Sequence, residues 1–130
     1  MKQKVFIVLL AIITLTLIGC NSKAPKLYDC SGTVTMNGQP LEGANVAFVN
    51  LDLPAPNTAI TDASGVFKMQ SYEGSFDVTI VKLEGKASKE DPYAPTTNLL
   101  PEKYSNLKTS GLKATVTKNP EENKFQFDIQ

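Results

Sequence analysis

From Tyr28 onward, apolar side chains recur at every second position in short runs, and each run stops at a cluster of Gly, Pro, Asn, Asp or Ser. A period of two puts alternate residues on opposite faces of an extended strand, so this chain can bury one face of a sheet but has no 3.6-residue stripe with which to build amphipathic helices. The first run, Tyr28 to Met36, sets Tyr28, Cys30, Val34 and Met36 against Asp29, Ser31, Thr33 and Thr35. Asn37-Gly38 follows, a pair suited to the positive φ angles of a tight hairpin turn. A second strand spans Asn45 to Asn50 with Val46 and Phe48 on one side, and the two prolines between Leu51 and Asn57 bar that stretch from the middle of a sheet. A third covers Thr58 to Thr61 and reaches Asp62-Ala63-Ser64-Gly65, where an Asp carboxylate can accept backbone N–H bonds in a turn. Val66 to Met69 resumes the alternation, Glu73-Gly74 reverses it, and Ser75 to Lys82 carries Phe76, Val78 and Ile80. Leu112 to Thr117 and Lys124 to Ile129, on either side of the turn at Asn119 to Asn123, complete the set.

These runs predict an all-β fold, a sandwich of seven short strands. Between Leu83 and Gly111 lies a connection of about 29 residues, longer than a compact domain carries without a reason. It is polar at first and then carries Tyr93, Leu99, Leu100 and Tyr104; this second half is expected to form a short helical turn at Pro101-Glu102-Lys103-Tyr104 and to fold back over an edge of the sandwich, blocking pairing with other chains.

The N-terminus obeys different rules. Lys2 and Lys4 precede an apolar run from Val5 to Ile18 that is shorter than the roughly 20 residues a helix needs to cross a hydrocarbon core of about 30 Å. The run ends at Leu17-Ile18-Gly19-Cys20 and turns polar at Asn21-Ser22. A basic start, a short apolar segment and a small residue before cysteine resemble the signal peptide and lipobox of bacterial lipoproteins. The resemblance implies a signal-peptide helix over residues 1–19, cleavage between Gly19 and Cys20, and a diacylglycerol on the Cys20 sulfur as the sole non-protein group. Two or more acyl chains give stable anchoring where one is marginal. Residues 20–27 then read as a lipidated tether and 28–130 as one domain, with no length left for a second. At roughly 3.3 Å per residue, Asn21 to Leu27 reaches at most about 23 Å, so the domain is expected to lie close to the bilayer.

Charge and composition narrow the function. Positive charge is carried by Lys alone, and with Lys2 and Lys4 in the signal the remainder is slightly acidic and has no basic stripe, which excludes nucleic acid as a partner. Without Arg, bidentate recognition of phosphate or carboxylate is absent. The chain has no His and no Trp. A Ser-His or Cys-His nucleophile and base therefore cannot be assembled, and a thiol without His makes no ordinary zinc site. No catalytic or metal-binding residues are expected. With Cys20 committed to lipid, Cys30 has no partner for an intrachain disulfide; its strand position favours a buried apolar role over a reactive thiol.

Three stretches carry a family resemblance: Gly32-Thr33-Val34-Thr35, then Gly38-Gln39-Pro40-Leu41-Glu42-Gly43-Ala44-Asn45-Val46, then Thr61-Asp62-Ala63-Ser64-Gly65-Val66-Phe67. Together they resemble the carboxypeptidase regulatory-like domain, a transthyretin-like or prealbumin-like sandwich. Leu100-Pro101-Glu102-Lys103-Tyr104, Thr109-Ser110-Gly111-Leu112 and Phe125-Gln126-Phe127-Asp128 are similar to the tails of small planctomycete-type lipoproteins. The resemblance implies a fold and a cell-envelope address but no ligand, since every motif position is a turn or core position. It differs from transthyretin-like hydrolases, which depend on His and Arg.

The functional expectation is a lipid-anchored, non-catalytic, extracytoplasmic module, structural or protein-binding, on the periplasmic face or the cell surface. The alternative is a small-ligand or glycan-binding lipoprotein using the 83–111 connection, with Tyr93 and Tyr104 as an exposed aromatic cluster. Tyr72 is a further tyrosine in or beside a loop; such a ring can anchor a partner, but for all three the favoured reading is packing of the loop onto the sheet. Asp52, Asp62, Asp77 and Asp91 match no calcium-loop spacing and are read as turn-forming or solvent-facing carboxylates.

Overall fold

The computed structural model of the chain describes residues 24–85 and 90–130. The signal peptide, the Gly19–Cys20 cleavage site and the first half of the tether (residues 20–23) expected from the sequence lie outside these residues. Among the described residues the fold is mostly β, and no helix is long and apolar enough to cross a membrane.

Among the described residues ten strands form in chain order: β1 (Leu27–Met36), β2 (Gln39–Pro40), β3 (Asn45–Val49), β4 (Asn57–Ile60), β5 (Val66–Tyr72), β6 (Gly74–Val81), β7 (Leu83–Glu84), β8 (Thr97–Asn98), β9 (Leu112–Val116) and β10 (Lys124–Ile129). Two 3-10 turns, η1 (Glu102–Ser105) and η2 (Pro120–Glu122), complete the order. Each run of alternation read from the sequence becomes a strand. β5 continues to Tyr72 rather than ending at Met69, because Met69 to Tyr72 find partners in β1, with Cys30 opposite Met69 and Leu27 opposite Tyr72. The short strands β2, β7 and β8 have too few residues for any period to show.

β1 organises one sheet. Its residues 31–36 pair in parallel with β10, and its other side pairs antiparallel with β5 and, beyond Thr33, with β2. The turn between β1 and β2 takes positive φ at both Asn37 (51°) and Gly38 (79°), as the pair predicts. The second sheet runs β4-β3-β6-β9, antiparallel throughout. β7 and β8 make a separate two-stranded ladder.

The two sheets face each other across one core in a sandwich-like arrangement. Phe48 of β3 is its centre, fully buried, with ring centroids 6.1 Å from Phe67, 5.3 Å from Phe125 and 6.4 Å from Phe127 on the opposite sheet. These contacts are edge-on, which the aromatic quadrupole favours. The alternating faces are the buried ones: Cys30 and Val34; Val46 and Phe48; Phe76, Val78 and Ile80; Ala114 and Val116; Phe127 and Ile129. Gly32 sits in the middle of β1 because nothing larger fits. A Cβ there would meet the Phe125 carbonyl oxygen at 2.5 Å and the Phe67 ring at 2.6 Å.

Buried polar groups are few and bonded. Asn123 is completely buried at the end of the β9–β10 connection; its Nδ2 donates to the carbonyls of Thr117 (2.9 Å) and Asp29 (3.3 Å), and its Oδ1 accepts from Thr117 N–H (2.8 Å). Its own carbonyl accepts from Ser31 N–H at 3.0 Å. One side chain thus fastens the connection between β9 and β10 to β1. Thr61 does similar work between strands, donating to the Leu41 carbonyl and accepting from Ala44 N–H.

Candidate functional site

The register places the chain's features at two ends of the sandwich. At the first end, Leu27 opposes Tyr72, the β5–β6 reversal passes through Glu73, and the β3–β4 loop of residues 50–56 comes alongside. Asn50 ties that loop to the reversal: its Nδ2 donates to the Ser75 carbonyl (3.2 Å), while its Oδ1 accepts from Asp52 N–H (2.9 Å). Leu53 N–H closes the turn on the Asn50 carbonyl at 3.0 Å. The loop is apolar yet faces solvent. Leu51 is 86% exposed and Leu27 42%. Leu53, by contrast, packs against the core and lines a groove of about 330 Å³ with Pro25, Lys26, Tyr28, Tyr72 and Glu73. The Lys26 ammonium lies 5.3 Å from the centre of the Tyr28 ring, near enough for a cation–π contact. Lys118 reaches Glu73 at 3.8 Å across the same end.

The other end is closed by the long connection. β9 pairs with β6 only as far as Val78, so residues 79–81 of β6 extend beyond it. The connection takes over there: Asn98 Oδ1 accepts from Lys82 N–H at 3.1 Å, Leu99 N–H donates to the Lys82 carbonyl at 2.8 Å, and η1 packs against β6. The helical turn expected at Pro101 to Tyr104 is present as η1, and it folds over the sandwich as expected. Its Tyr104 is only 5% exposed and is held at the hydroxyl, which accepts from Gln130 N–H at 3.0 Å. That bond holds the Tyr104 phenol below the usual tyrosine range.

Tyr104 therefore belongs to the packing, whereas Tyr93 is 92% exposed. The single exposed cluster of both rings that the glycan-binding alternative calls for does not form. The reason is Tyr104's position in η1, where the ring turns inward beside Leu100 while its polar tip finds the Gln130 backbone. Tyr72 is likewise partly buried, packed against the core at the tether end.

The carboxylates are dispersed. Asp62 accepts from Ser64 and Val66 N–H in the β4–β5 turn, Asp77 pairs with Lys113, Asp91 accepts from Tyr93 N–H, and Asp52 sits in the loop at the tether end. Among the described residues, no three His, Cys, Asp or Glu side chains come together. Cys30 is buried at 4% exposure, and burial pushes its thiol above the ordinary value, with the neighbouring Asp29 carboxylate adding to the shift. A thiol so placed is a poor nucleophile.

The feature that the alternation pattern passes over is the β3–β4 loop. Its prolines mark it as irregular, but the signal lies in its other residues: loops are normally polar, and Leu51-Asp52-Leu53-Pro54-Ala55-Pro56 is apolar at all but one position. Comparisons with protein-family models, with curated proteins and with solved structures found no match for this chain.

Proposed function

We propose that this chain is a lipid-anchored, non-catalytic β-sandwich module of the bacterial cell envelope, with the transthyretin-like topology of carboxypeptidase regulatory-like domains, acting as a structural or protein-interaction domain. The observation that carries the reading is Leu17-Ile18-Gly19-Cys20 at the end of a basic-then-apolar leader. A covalent lipid on Cys20 is the only non-protein group it requires. Supporting it, the described strands begin at Leu27, a few residues after that cysteine, and among the described residues each buried polar side chain has a hydrogen-bond partner within the fold. Detergent phase partitioning tests the anchor. The full-length protein expressed in a lipoprotein-processing bacterium goes to the detergent phase, and Cys20→Ala goes to the aqueous phase; equal aqueous partitioning of both would show the anchor reading to be wrong.

A second reading, glycan or small-ligand binding by the 83–111 connection, is favoured by one observation, the exposed ring of Tyr93. It predicts that envelope glycans bind the purified domain and that Tyr93→Ala abolishes the binding. Titration calorimetry showing no heat with either protein would remove it.

A further inference from the structure

At the end of the sandwich from which the tether emerges, two leucines meet solvent among the exposed charged residues Lys26, Asp52 and Glu73. Leu51 projects almost completely from the β3–β4 loop and Leu27 is two-fifths exposed at the start of β1. Pro54 and Pro56 restrict the backbone of the loop that carries Leu51, and the Asn50 bonds to Ser75 and Asp52 fix its base. Behind these side chains lies the groove in which Tyr28, Tyr72 and Lys26 come together. An apolar tip backed by amphipathic tyrosines and a lysine is the arrangement that suits a membrane–water interface, where rings and ammonium groups sit at headgroup level and aliphatic side chains go deeper.

We infer that this end of the domain, led by Leu51 and Leu27, inserts shallowly into the lipid surface to which Cys20 tethers it, so that the sandwich stands in a fixed orientation rather than swinging on its linker. The inference rests on the anchor reading. It follows from where the chain leads: the tether from Asn21 to Leu27 reaches about 23 Å at most, and it enters the fold beside Leu51 rather than at the distal end. Confinement at that distance raises the effective concentration of lipid at the tip, so an insertion too weak to recruit a free protein is populated in an anchored one. Charge is a minor contributor. Lys26 and Lys118 are offset by Asp52 and Glu73, with Lys118 already paired to Glu73, so the contact depends on apolar burial and is insensitive to salt.

The absence of tryptophan makes the test direct, because a single introduced Trp is the only indole in the chain. Leu51→Trp and, at the opposite end, Ile60→Trp are made in the full-length lipidated protein; both positions are exposed, at 86% and 68%, so neither change disturbs the core. Each is reconstituted in phosphatidylethanolamine–phosphatidylglycerol vesicles carrying brominated acyl chains, with acylation checked by intact mass. The inference expects Leu51→Trp emission to shift to the blue and to lose most of its intensity to the bromines, unchanged by salt, while Ile60→Trp stays unquenched. Lipidated protein with neither position quenched, or with both quenched equally, overturns the inference and leaves the anchor standing. A protein that carries no acyl chains overturns the anchor reading, and this inference with it.

Discussion

The two ends of the sandwich solve the same problem in opposite ways. Strands that stop leave a gap between sheets, and at the distal end the long connection closes it, with Leu100 and Tyr104 buried and the Tyr104 hydroxyl bonded to the Gln130 backbone. At the tether end the corresponding apolar side chains, Leu51 and Leu27, are left in solvent. An aromatic ring with a bonded tip serves stability; an exposed leucine on a proline-bounded loop does not. The distal end is not free of exposed apolar groups, since Ile60, Leu83 and Leu99 also meet solvent, so the contrast lies in the bonded, buried Tyr104 that caps one end and the uncapped loop that carries Leu51 at the other.

Substitutions at the two ends sharpen the contrast by their unequal cost. The largest effect is expected for Tyr104→Ala, which empties a buried aromatic site and lowers unfolding free energy by about 3–5 kcal/mol in urea titration of the Cys20→Ala protein. Tyr104→Phe keeps the ring and loses only the bonds to Gln130, about 0.5–1.5 kcal/mol. A result near zero for Tyr104→Ala would break the comparison, because the distal end would then be no better sealed than the other. Asn123→Ala, which strands the Thr117 N–H and the Thr117 and Asp29 carbonyls, is expected to cost about 1–3 kcal/mol by the same titration. Leu51→Ser, at the open end, falls within about 0.5 kcal/mol of wild type. A clear loss there would mean that the loop is part of the packing.

The smallest effect concerns Cys30. Because burial raises its folded-state pKa, the thiol's contribution to stability is complete below the unfolded thiol value and is lost as pH climbs through the folded one. Stability is therefore expected to be flat with respect to this group at neutral pH and to decline on the alkaline side, with Cys30→Ser lacking that component. Alkylation of Cys30 in the native Cys20→Ala protein is expected to be slow at pH 8 and fast in urea; rapid native alkylation would contradict the burial.

Most of the fold is legible because its code is local. Phe76, Val78 and Ile80 alternate with polar neighbours, and all three are buried. Asn37-Gly38 states its own turn, and η1 follows from an apolar Tyr104 in a polar stretch. What is not legible depends on partners distant in sequence. The parallel pairing of β1 with β10 joins residues nearly a hundred positions apart, and no pattern within either strand encodes it. The burial of Asn123 is hidden for the same reason, since an asparagine between turn residues reads as solvent-facing until Asp29 and Ser31 are brought beside it. Tyr93 and Tyr104 have the same chemistry in sequence and opposite environments in the structure, because only Tyr104 has β6 and Gln130 to pack against. The tether end was half legible: the cysteine that leads into it is plain, whereas the exposed loop beside it is placed there by the β3–β6 register.

The central claim is that Cys20 holds this domain at a membrane, and the intact mass of the protein purified from bacterial envelopes tests it most directly. The account predicts a chain that begins at Cys20 and carries the added mass of a diacylglycerol, with or without an amide-linked acyl chain. A chain that retains residues 1–19, or one that begins at Cys20 with a free thiol, would contradict it.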